Sequence, residues 1–540
     1  MTNGLAWVPK LNDVSEWKDS FAFDPVSGRP AIGLARARSG SAGKDIGLAE
    51  VLLTHSYHLY YDPKQVRKMR PYPPLGTLYA AALLRERGFT VAVFDPMLEE
   101  PEKGFAAALA AHKPRIVAVY EDSFNFLTKM CLTRMRTLAY TMAGMARESG
   151  AVVVANGSDA SDHMAEYLQN GFDYVLLGEA EWTLLEVVKA ALAGRAKDKN
   201  QSIPGMAFVA PSGDIVRTAS RSLMTDLDQL PAPARDLISF DGYRKQWKAS
   251  HGRLSLNIVS SRGCPYRCNW CAKPIYGNSF HLRSAESVAA EVEELKTRYG
   301  AEHLWFADDI FALNRHWVRD FADAIVRRNC AVPFKMQSRI DLMTEEVVEA
   351  LGRAGCEEVW MGVESGSQKI LDAMRKGLRL HEVAPARARL KAANIRACFF
   401  IQFGYPGESW HDILSTIDLV RCTRPDDVGV SVSYPLPGTE FYDHVRQSLG
   451  EKTNWSDSGD LAMMFQGTYT GEFYRALHDL VHAEVRQWSA HAETPAESLS
   501  DLWRRVEGLE KTCRNPHPTM FTRTWQPDDR LISIQTAGAR

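Results

Sequence analysis

Two blocks of alternating strand-like and helix-like segments constrain the fold of this 540-residue chain more than any other feature. In residues 48–195, five short apolar runs alternate with five helical patterns, and in residues 254–433 six such runs alternate with six helices. Parallel strands need a long crossover connection, which is usually a helix, whereas antiparallel strands do not. Strict alternation therefore predicts an α/β protein with two parallel sheets, and the length favours two to four domains.

The first block predicts a doubly wound, Rossmann-like domain, which we place at residues 46–195. Its strands are expected at 49–54, 90–94, 116–120, 151–155 and 174–177, and its helices at 77–87, 105–111, 127–148, 162–169 and 181–193. Ligands of such sheets lie at the carboxyl ends of the strands. Residues 1–45 show no clean periodicity, and we interpret them as an irregular N-terminal arm.

The second block predicts a (β/α)6 partial TIM barrel, open on one side, over residues 251–440. Its strands are expected at 254–259, 303–307, 334–337, 358–362, 397–403 and 428–433, and its helices at 284–299, 315–329, 344–354, 367–375, 381–393 and 410–421. A joint at 196–250, with a predicted hairpin at 206–217 and the proline cluster Leu230-Pro-Ala-Pro-Ala-Arg235, precedes it. Residues 441–540 predict a helical C-terminal cap that closes the open side, with helices at 440–449, 472–490 and 496–511.

Three cysteines, Cys264, Cys268 and Cys271, follow the first strand of the second block at C-x3-C-x2-C spacing. Barrel chemistry gathers at the carboxyl ends of the strands, where this loop begins. Three thiolates hold three irons of a [4Fe-4S] cube and leave the fourth iron open to another ligand. Zinc normally takes four ligands in pairs, and a disulfide would leave one thiol over. Chance clustering in a loop is the remaining alternative.

With its flanks, Ser260-Ser-Arg-Gly-Cys-Pro-Tyr-Arg-Cys-Asn-Trp-Cys271, the triplet resembles the signature of the radical S-adenosylmethionine (SAM) superfamily. The resemblance implies that the three cysteines bind a [4Fe-4S] cluster and that SAM chelates its fourth iron. An electron from the cluster then cleaves SAM to a 5′-deoxyadenosyl radical.

Polar or glycine-rich groups at the other strand ends follow the order of the SAM-binding segments in that superfamily. By that resemblance Glu364 and Ser365 meet the ribose or amino group of SAM, and Ser338 and Arg339 meet its carboxylate or ribose. Gly404 and the loop to Glu408 lie beside adenine. Asp308 and Asp309 stand in place of the Gly-Gly-Glu segment of the family and are predicted to bind the cofactor.

The first block resembles the cobalamin-binding domain that precedes many radical SAM modules. Three segments carry the resemblance: Pro71-Tyr-Pro-Pro-Leu-Gly76, Ala155-Asn-Gly-Ser-Asp159 and the Gly178-Glu helix start. The predicted cobalamin contacts are Glu121, Asn156, Gly157 and Ser158. The D-x-H-x-x-G motif that supplies a histidine to cobalt is absent, so His55, His58 and His163 are not expected to ligate the metal.

The combined resemblance implies an enzyme that methylates an unactivated carbon of a small organic substrate through a deoxyadenosyl radical and methylcobalamin. One alternative is a non-methylating cyclase or rearrangement enzyme of the same architecture, like the anaerobic magnesium-protoporphyrin monomethyl ester cyclase. A more distant alternative is a cobalamin or iron–sulfur sensor. A methylthiotransferase is disfavoured because Cys131 is the only cysteine upstream of the triplet.

The composition bears on partners and compartment. A net charge of −2 gives no reason to expect nucleic acid or an anionic membrane as a partner. The sequence contains no signal-like start and no run of 18 apolar residues, so no integral membrane segment is expected. Six further cysteines are scattered, which favours a reducing cytoplasm, and an electron donor such as flavodoxin or ferredoxin is expected.

Overall fold

The structure is a computed structural model, and it describes residues 48–129, 133–195, 202–452, 454–488 and 497–520. The predicted N-terminal arm, Cys131 and the tail after residue 520 lie outside these ranges. Two large sheets, of seven and six strands, form the described part of the chain.

The first sheet has the order β2-β1-β3-β4-β5-β6-β7. Its strands are β1 (Val51–Thr54), β2 (Val91–Val93), β3 (Ile116–Tyr120), β4 (Val152–Asn156), β5 (Tyr174–Leu176), β6 (Met206–Val209) and β7 (Ile215–Arg217). The first five strands are parallel, because each is followed by a helical crossover. Strands β2 and β3 lie on either side of β1, so the order in which strands are added to the sheet reverses beside β1. Ligands of such sheets bind at this reversal of strand order.

Within the ranges given above, nine helices accompany this sheet and the chain that leaves it. They are α1 (Pro63–Lys68), α2 (Leu75–Glu86), α3 (Pro101–His112), α4 (Phe126–Lys129), α5 (Thr133–Glu148), α6 (Ser158–Asp162), α7 (Met164–Gln169), α8 (Glu181–Leu192) and α9 (Asp241–His251). Two separate clusters of buried apolar side chains cover the sheet, one on each face, which confirms the doubly wound prediction.

The hairpin β6–β7 does not stand alone between the two domains. It pairs antiparallel with β5, where Val175 lies opposite Ala207, and so extends the first sheet. An isolated hairpin is marginal in water, and pairing with the exposed edge of β5 stabilises both. The interval predicted as a joint therefore begins as part of the first sheet, and α9 ends it.

The second sheet has six parallel strands in the order β15-β14-β13-β12-β11-β8, which confirms the partial barrel. The strands are β8 (Ser255–Ile258), β11 (His303–Phe306), β12 (Phe334–Ser338), β13 (Cys356–Glu364), β14 (Arg396–Phe403) and β15 (Asp427–Val432), with the short ribbon β9 (Ser261–Arg262) and β10 (His281–Leu282) after β8. The helices are α10 (Ala285–Thr297), α11 (Arg315–Arg328), α12 (Glu345–Ala354), α13 (Gln368–Ala373), α14 (Val383–Ala392) and α15 (Trp410–Thr423).

Side chains of the barrel strands alternate between two different environments. In β12, Phe334 and Met336 are fully buried against the helices, whereas Lys335 and Gln337 are half-buried on the inner face. The strand register places Lys335 beside Trp305 and Glu358 on that face. The inner face is therefore polar and aromatic, and we call the space it lines the lumen.

The C-terminal residues form three further helices, α16 (Glu440–Val445), α17 (Gly471–Arg486) and α18 (Leu499–Thr512). Helix α17 packs against β15 and α15 and pairs with α18. Its Glu484 is fully buried and accepts hydrogen bonds from Arg421 of α15 and Trp503 of α18. The predicted helical cap is thus present.

Candidate functional site

A closed loop presents the three cysteines at the carboxyl end of the barrel. The ribbon β9–β10 pairs Arg262 with His281 and so joins the two ends of this loop. Gly263 has a φ of +82°, and a Cβ there would collide with the carbonyl oxygen of Ser279, so the position requires glycine. The loop is therefore fixed at its base, directly before Cys264.

The three thiols act on one another electrostatically. Burial, together with the neighbouring thiolates of Cys268 and Cys264, raises the pKa of Cys271 to about 12. The side chain of Cys271 nevertheless has accessible surface. A thiol that is both accessible and desolvated borders a space that is enclosed by protein. Among the described residues no three His, Cys, Asp or Glu side chains stand at metal-ligand geometry. Three neighbouring thiols on one loop beside enclosed space fit a cluster, whose cations lower thiol pKa values.

Glu364 and Lys376 form a buried ion pair beside the cysteine loop. Glu364 lies at the end of β13 with a φ of +64°, and its carboxylate accepts a hydrogen bond of 2.8 Å from Lys376. Burial lowers the pKa of Lys376, but Glu364 and the thiolate of Cys268 outweigh it and leave that pKa raised. Lys376 was not predicted as a site residue, because its partner lies 12 residues away in the chain and no local pattern links the two.

Arg339, at the end of β12, stacks its guanidinium 3.8 Å from the ring centre of Tyr266 inside the cysteine loop. Its Nε donates to Asp341 at 2.9 Å. Ser338 donates its hydroxyl to the carbonyl of Phe311. Arg339 is thus brought to the cluster loop, while the Ser338 hydroxyl is engaged within the barrel.

Asp308 is buried and holds the chain that enters the cysteine loop. Its carboxylate accepts hydrogen bonds from the backbone and hydroxyl of Ser260 and from the hydroxyl of Ser261. Burial raises the pKa of Asp308 to about 6. Asp309 is exposed, and its charge is among those that raise the pKa of Cys264 and Cys271. Both residues therefore lie at the cluster loop, although their contacts to a cofactor stay predictions.

Ser365 and Gly404 lie at the ends of β13 and β14. The Ser365 hydroxyl is fully buried within 3.3 Å of the Thr416 hydroxyl. The Gly404 amide donates to Glu408 at 2.6 Å. Burial raises the pKa of Glu408 to about 8, and its second carboxylate oxygen has no partner among the described residues.

The predicted cobalamin contacts meet at the carboxyl edge of the first sheet. Glu121, after β3, accepts hydrogen bonds from the amide and hydroxyl of Ser56, after β1. Gly157, after β4, has a φ of +147°, and a Cβ there would lie 2.9 Å from the Glu121 side chain. The Asn156 side-chain amide donates to the carbonyls of Leu176, at the end of β5, and of Gly178, just after it. The buried Ser158 hydroxyl has no partner among the described residues. An edge with an unsatisfied hydroxyl and a glycine cradle fits a bound cofactor.

Two histidines follow β1 directly. His55 is buried, with Nε2 within 2.9 Å of Asp95 and Nδ1 accepting from the Tyr57 amide. Burial lowers the pKa of His55, but Asp95 outweighs it and leaves that pKa raised. His58 lies with Nδ1 2.7 Å from the Pro96 carbonyl. Both ring nitrogens of His55 are engaged, which agrees with the prediction that it does not ligate cobalt and leaves that prediction untested.

A buried arginine joins the cluster loop to the first domain. Arg262, two residues before Cys264, forms an ion pair of 2.5 Å with Glu179, which lies just before α8. It forms a second ion pair of 2.7 Å with Glu181, the first residue of α8. The rings of Tyr79, Phe124 and Tyr276 surround its guanidinium at 5.3 to 5.7 Å. The motif contains Arg262, but its acidic partners lie about 80 residues earlier and are not visible in the sequence pattern.

A cavity of about 320 Å³ lies where the two domains meet. Its walls include Cys271 and Lys273 from the cluster loop, and Ser161 and Gly178 from the first domain. Carboxyl edges of both sheets thus face one space.

Two protein-family models match the chain in the order that the two sheets suggest. The B12 binding domain matches residues 70–188, and the Radical SAM superfamily matches residues 258–420.

The chain belongs to the cobalamin-dependent radical SAM superfamily.

Two curated relatives of this superfamily cover most of the chain. The uncharacterized methyltransferase PH0819 of Pyrococcus horikoshii is 27% identical over 390 residues, which are 71% of this chain and 81% of that protein. The anaerobic magnesium-protoporphyrin IX monomethyl ester cyclase of Rubrivivax gelatinosus is 24% identical over 396 residues, 72% of this chain and 68% of that protein.

Among solved structures, the radical SAM methyltransferase TsrM from Kitasatospora setae, with cobalamin and a [4Fe-4S] cluster bound, has a TM-score of 0.61. It is 17% identical and covers 91% of this chain and 96% of its own, so the likeness concerns the fold.

Family, fold class and the prediction of an enzyme are thereby confirmed, and the cofactors of this cobalamin-dependent radical SAM enzyme are a [4Fe-4S] cluster, SAM and cobalamin. The domain boundaries and the roles of individual residues stay predictions. No helix within the described residues is long and apolar enough to span a bilayer.

Proposed function

We propose that this enzyme transfers a methyl group from SAM to an unactivated carbon of a small organic substrate. The observation that carries the proposal is the cavity between the cysteine loop and the cobalamin edge, because both cofactors must reach one substrate carbon. The likeness to a methyltransferase of Pyrococcus horikoshii over 71% of the chain supports it.

We assign the cluster to Cys264, Cys268 and Cys271. When bound, the cluster and SAM supply a hydrogen-abstracting radical, and cobalamin supplies the methyl group. The chain supplies orientation: Asp308 holds Ser260 and Ser261 at the entry of the cluster loop, and Arg262 holds that loop against the first domain.

For SAM, the proposal assigns Arg339 to its carboxylate, and Glu364 and Ser365 to its amino group or ribose. The ion pair with Lys376 holds the Glu364 carboxylate in place, so that its second oxygen can accept a hydrogen bond. Glu121, Asn156, Gly157 and Ser158 are assigned to cobalamin, with the Ser158 hydroxyl as the donor that has no partner within the described chain.

The test is an anaerobic assay with reconstituted cofactors, reductant and methyl-labelled SAM, run against extracts of the native host. Methyl transfer consumes two SAM molecules by different routes, so S-adenosylhomocysteine and 5′-deoxyadenosine are expected in a ratio of about one, with the label in a heavier product. Deoxyadenosine formed without S-adenosylhomocysteine and without transferred label would overturn the proposal.

That second outcome describes a cyclase-like reaction, which the likeness to the magnesium-protoporphyrin cyclase keeps as the second candidate. In either case the cluster needs an external electron, and we propose a small donor such as flavodoxin or ferredoxin. We also propose a cytoplasmic location, because all eight described cysteines are free thiols.

A further inference from the structure

A stretch of the first domain crosses to the barrel and forms a wall of its lumen. This crossing segment, residues 59–74, is fixed at both ends: Trp247 donates to the Pro71 carbonyl at 2.6 Å, and Asn257 donates to the Pro73 carbonyl at 2.8 Å. Its Tyr72 hydroxyl lies 3.1 Å from that of Ser255 on β8. At its other end, Asp62 accepts hydrogen bonds from Ser458 of the C-terminal region.

Basic side chains gather where the crossing segment, the inner face of the barrel and helix α17 meet. We call this cluster the basic chamber. Its members are Lys64, Lys68 and Arg70 of the crossing segment, Lys335 of β12, and His482 and Arg486 of α17. Positive charges within the cluster repel one another: Lys64 and Arg70 lower the pKa of Lys68, and Arg70 and Lys68 lower that of Lys335.

Four of these cations form no direct hydrogen bond or ion pair in the described chain, although the charges of Asp427 and Glu358 act on Lys68 and Lys335 from a distance. Within the described residues, no acceptor forms a hydrogen bond or an ion pair with the amines of Lys68 and Lys335 or with the guanidiniums of Arg70 and Arg486, and Arg486 Nε is buried. The amine of Lys335 lies over the rings of Tyr72 and Trp305, 5.5 and 5.7 Å from the ring centres.

The acidic side chains near the chamber are already engaged. Asp62 binds Ser458 and caps α1, and Glu358 binds Arg396 and Trp360. Asp427, the remaining carboxylate, accepts from its neighbouring backbone amide and forms no ion pair in the described chain. The chamber therefore keeps an excess of positive charge.

The side chains of Lys68 and Lys335 keep accessible surface although desolvation lowers their pKa values. Lys68 is exposed by its accessible surface, yet burial is the main cause that lowers its pKa to about 8. Burial likewise lowers the pKa of Lys335 to about 7. Side chains that are accessible and yet desolvated are those that line a chamber. A desolvated cation without a partner destabilises the folded protein unless an anion binds to it.

The inner face of β12 runs from this chamber to the cofactor end of the barrel. Lys335 precedes Ser338 by three residues on β12, so the two lie about 10 Å apart along the strand. Between these levels the inner face carries Gln337 and the rings of Trp360 and Phe400, whose centres are 4.9 Å apart. A molecule with an aromatic or apolar body and a charged end matches this arrangement.

We propose that the basic chamber binds the anionic end, a phosphate or a carboxylate, of the substrate whose body lies in the lumen. The assignment to the substrate rests on the proposed function, whereas anion binding itself does not. Cofactor groups are not involved, because the chamber lies at the amino ends of the barrel strands and the cysteine loop at the carboxyl ends.

The first experiment measures anion binding to the full-length holoenzyme under anaerobic conditions. Inorganic pyrophosphate and citrate are titrated calorimetrically against wild type, Lys68→Gln and Lys335→Gln, with chloride at matched ionic strength as the reference. We expect saturable binding in wild type that weakens by about tenfold or more in both variants, because each loses a charged hydrogen bond. The control variant is Lys245→Gln on the exposed face of α9, which should bind as wild type does.

Folding is checked by the melting temperature without added anion. Lys335→Gln removes a desolvated cation, so that variant should melt no lower than wild type while it binds anions less well. Absence of anion-specific binding in wild type, or equal weakening in Lys245→Gln, would overturn the proposal.

The second experiment separates a substrate group from a free anion. If the anion belongs to the substrate, the methyl-labelled product is retained on an anion exchanger, and Lys335→Gln raises its KM more than it lowers kcat. An unretained product, with pyrophosphate binding intact, overturns the substrate part. Pyrophosphate binding without any methyl transfer overturns the proposed function and leaves the anion site standing.

Discussion

The two ends of the barrel differ in how their charged side chains are paired. At the carboxyl end, Arg262 pairs with Glu179 and Glu181, and Lys376 pairs with Glu364. At the amino end, the amines of Lys68 and Lys335 form no hydrogen bond and no ion pair with any residue that the structure describes. A group that is already paired serves to hold the site in shape, whereas an unpaired desolvated cation destabilises the free protein and is explained by a ligand. The contrast distinguishes paired side chains, which hold the cofactor site in shape, from unpaired side chains, which we propose bind the substrate.

The largest expected effect concerns the cysteine loop. Substitution of Cys264, Cys268 or Cys271 by alanine should abolish the cluster absorption and all SAM cleavage, since each removes one of only three ligands. The matched controls are Cys330, Cys356 and Cys398, which are buried in the barrel and should be dispensable for iron content. If a control proved essential for the cluster while one of the triplet did not, the assignment would be wrong.

The next largest effect is expected for the two ion pairs of Arg262 with Glu179 and Glu181, which we call the interdomain clamp. Arg262→Met leaves Glu179 and Glu181 buried as neighbouring like charges, so we expect a loss of about 3 to 5 kcal/mol in the free energy of unfolding. Denaturant unfolding measures it. The triple variant Arg262→Met/Glu179→Gln/Glu181→Gln should recover most of that loss, because no unpaired charge remains. A triple variant as unstable as the single one would show that packing, and not charge, explains the clamp.

A smaller effect, dependent on pH, is expected at Glu408. Burial raises its pKa from 4.5 to about 8, so between these values the folded protein holds a proton that the unfolded chain has released. The free energy of unfolding should therefore decrease as pH rises from 4.5 to 8, by at most about 1.4 kcal/mol per pH unit. Unfolding curves of wild type and Glu408→Gln at pH 6 and pH 8 test this, and the difference between the two pH values should shrink in the variant. An identical pH dependence in both proteins contradicts it.

The smallest effect is expected at an exposed ion pair, which serves as the reference for the buried ion pairs of the clamp. Arg85 and Asp236 form an ion pair of 2.6 Å in which both side chains are more than 40% exposed. Solvent screens such pairs, so Arg85→Ala should change the free energy of unfolding by less than about 1 kcal/mol. A loss as large as that of Arg262→Met would mean that burial does not account for the difference between the two arginines.

The sequence predicted both sheets because their local patterns are strong. Val, Ile and Leu runs alternate with amphipathic helices, and the triplet Cys264, Cys268 and Cys271 is contiguous. The strand bounds agree within a few residues, as for Ile116–Tyr120. The alternation in β12 also contained the signal for the lumen, since Lys335 and Gln337 alternate with the apolar Phe334 and Met336.

Long-range pairing is what the sequence did not show. Nothing local indicates that Arg262 meets Glu179, 83 residues earlier, or that Asp308 binds Ser260 and Ser261 at the entry of the cluster loop. The hairpin β6–β7 was predicted, but its attachment to β5 depends on an unpaired sheet edge that appears only in the folded domain.

The crossing segment has a consequence for how such enzymes diversify. By sequence it lies at the start of the cobalamin-binding domain, yet Tyr72 packs against Trp305 on the inner face of the barrel, and the charges of Lys68 and Arg70 act on Lys335 there. The two domains are therefore not interchangeable modules: a chimera that takes its first domain from a relative also takes a new wall for the barrel. Substrate preference should in part follow the donor of residues 59–74, even where every residue of the barrel is retained.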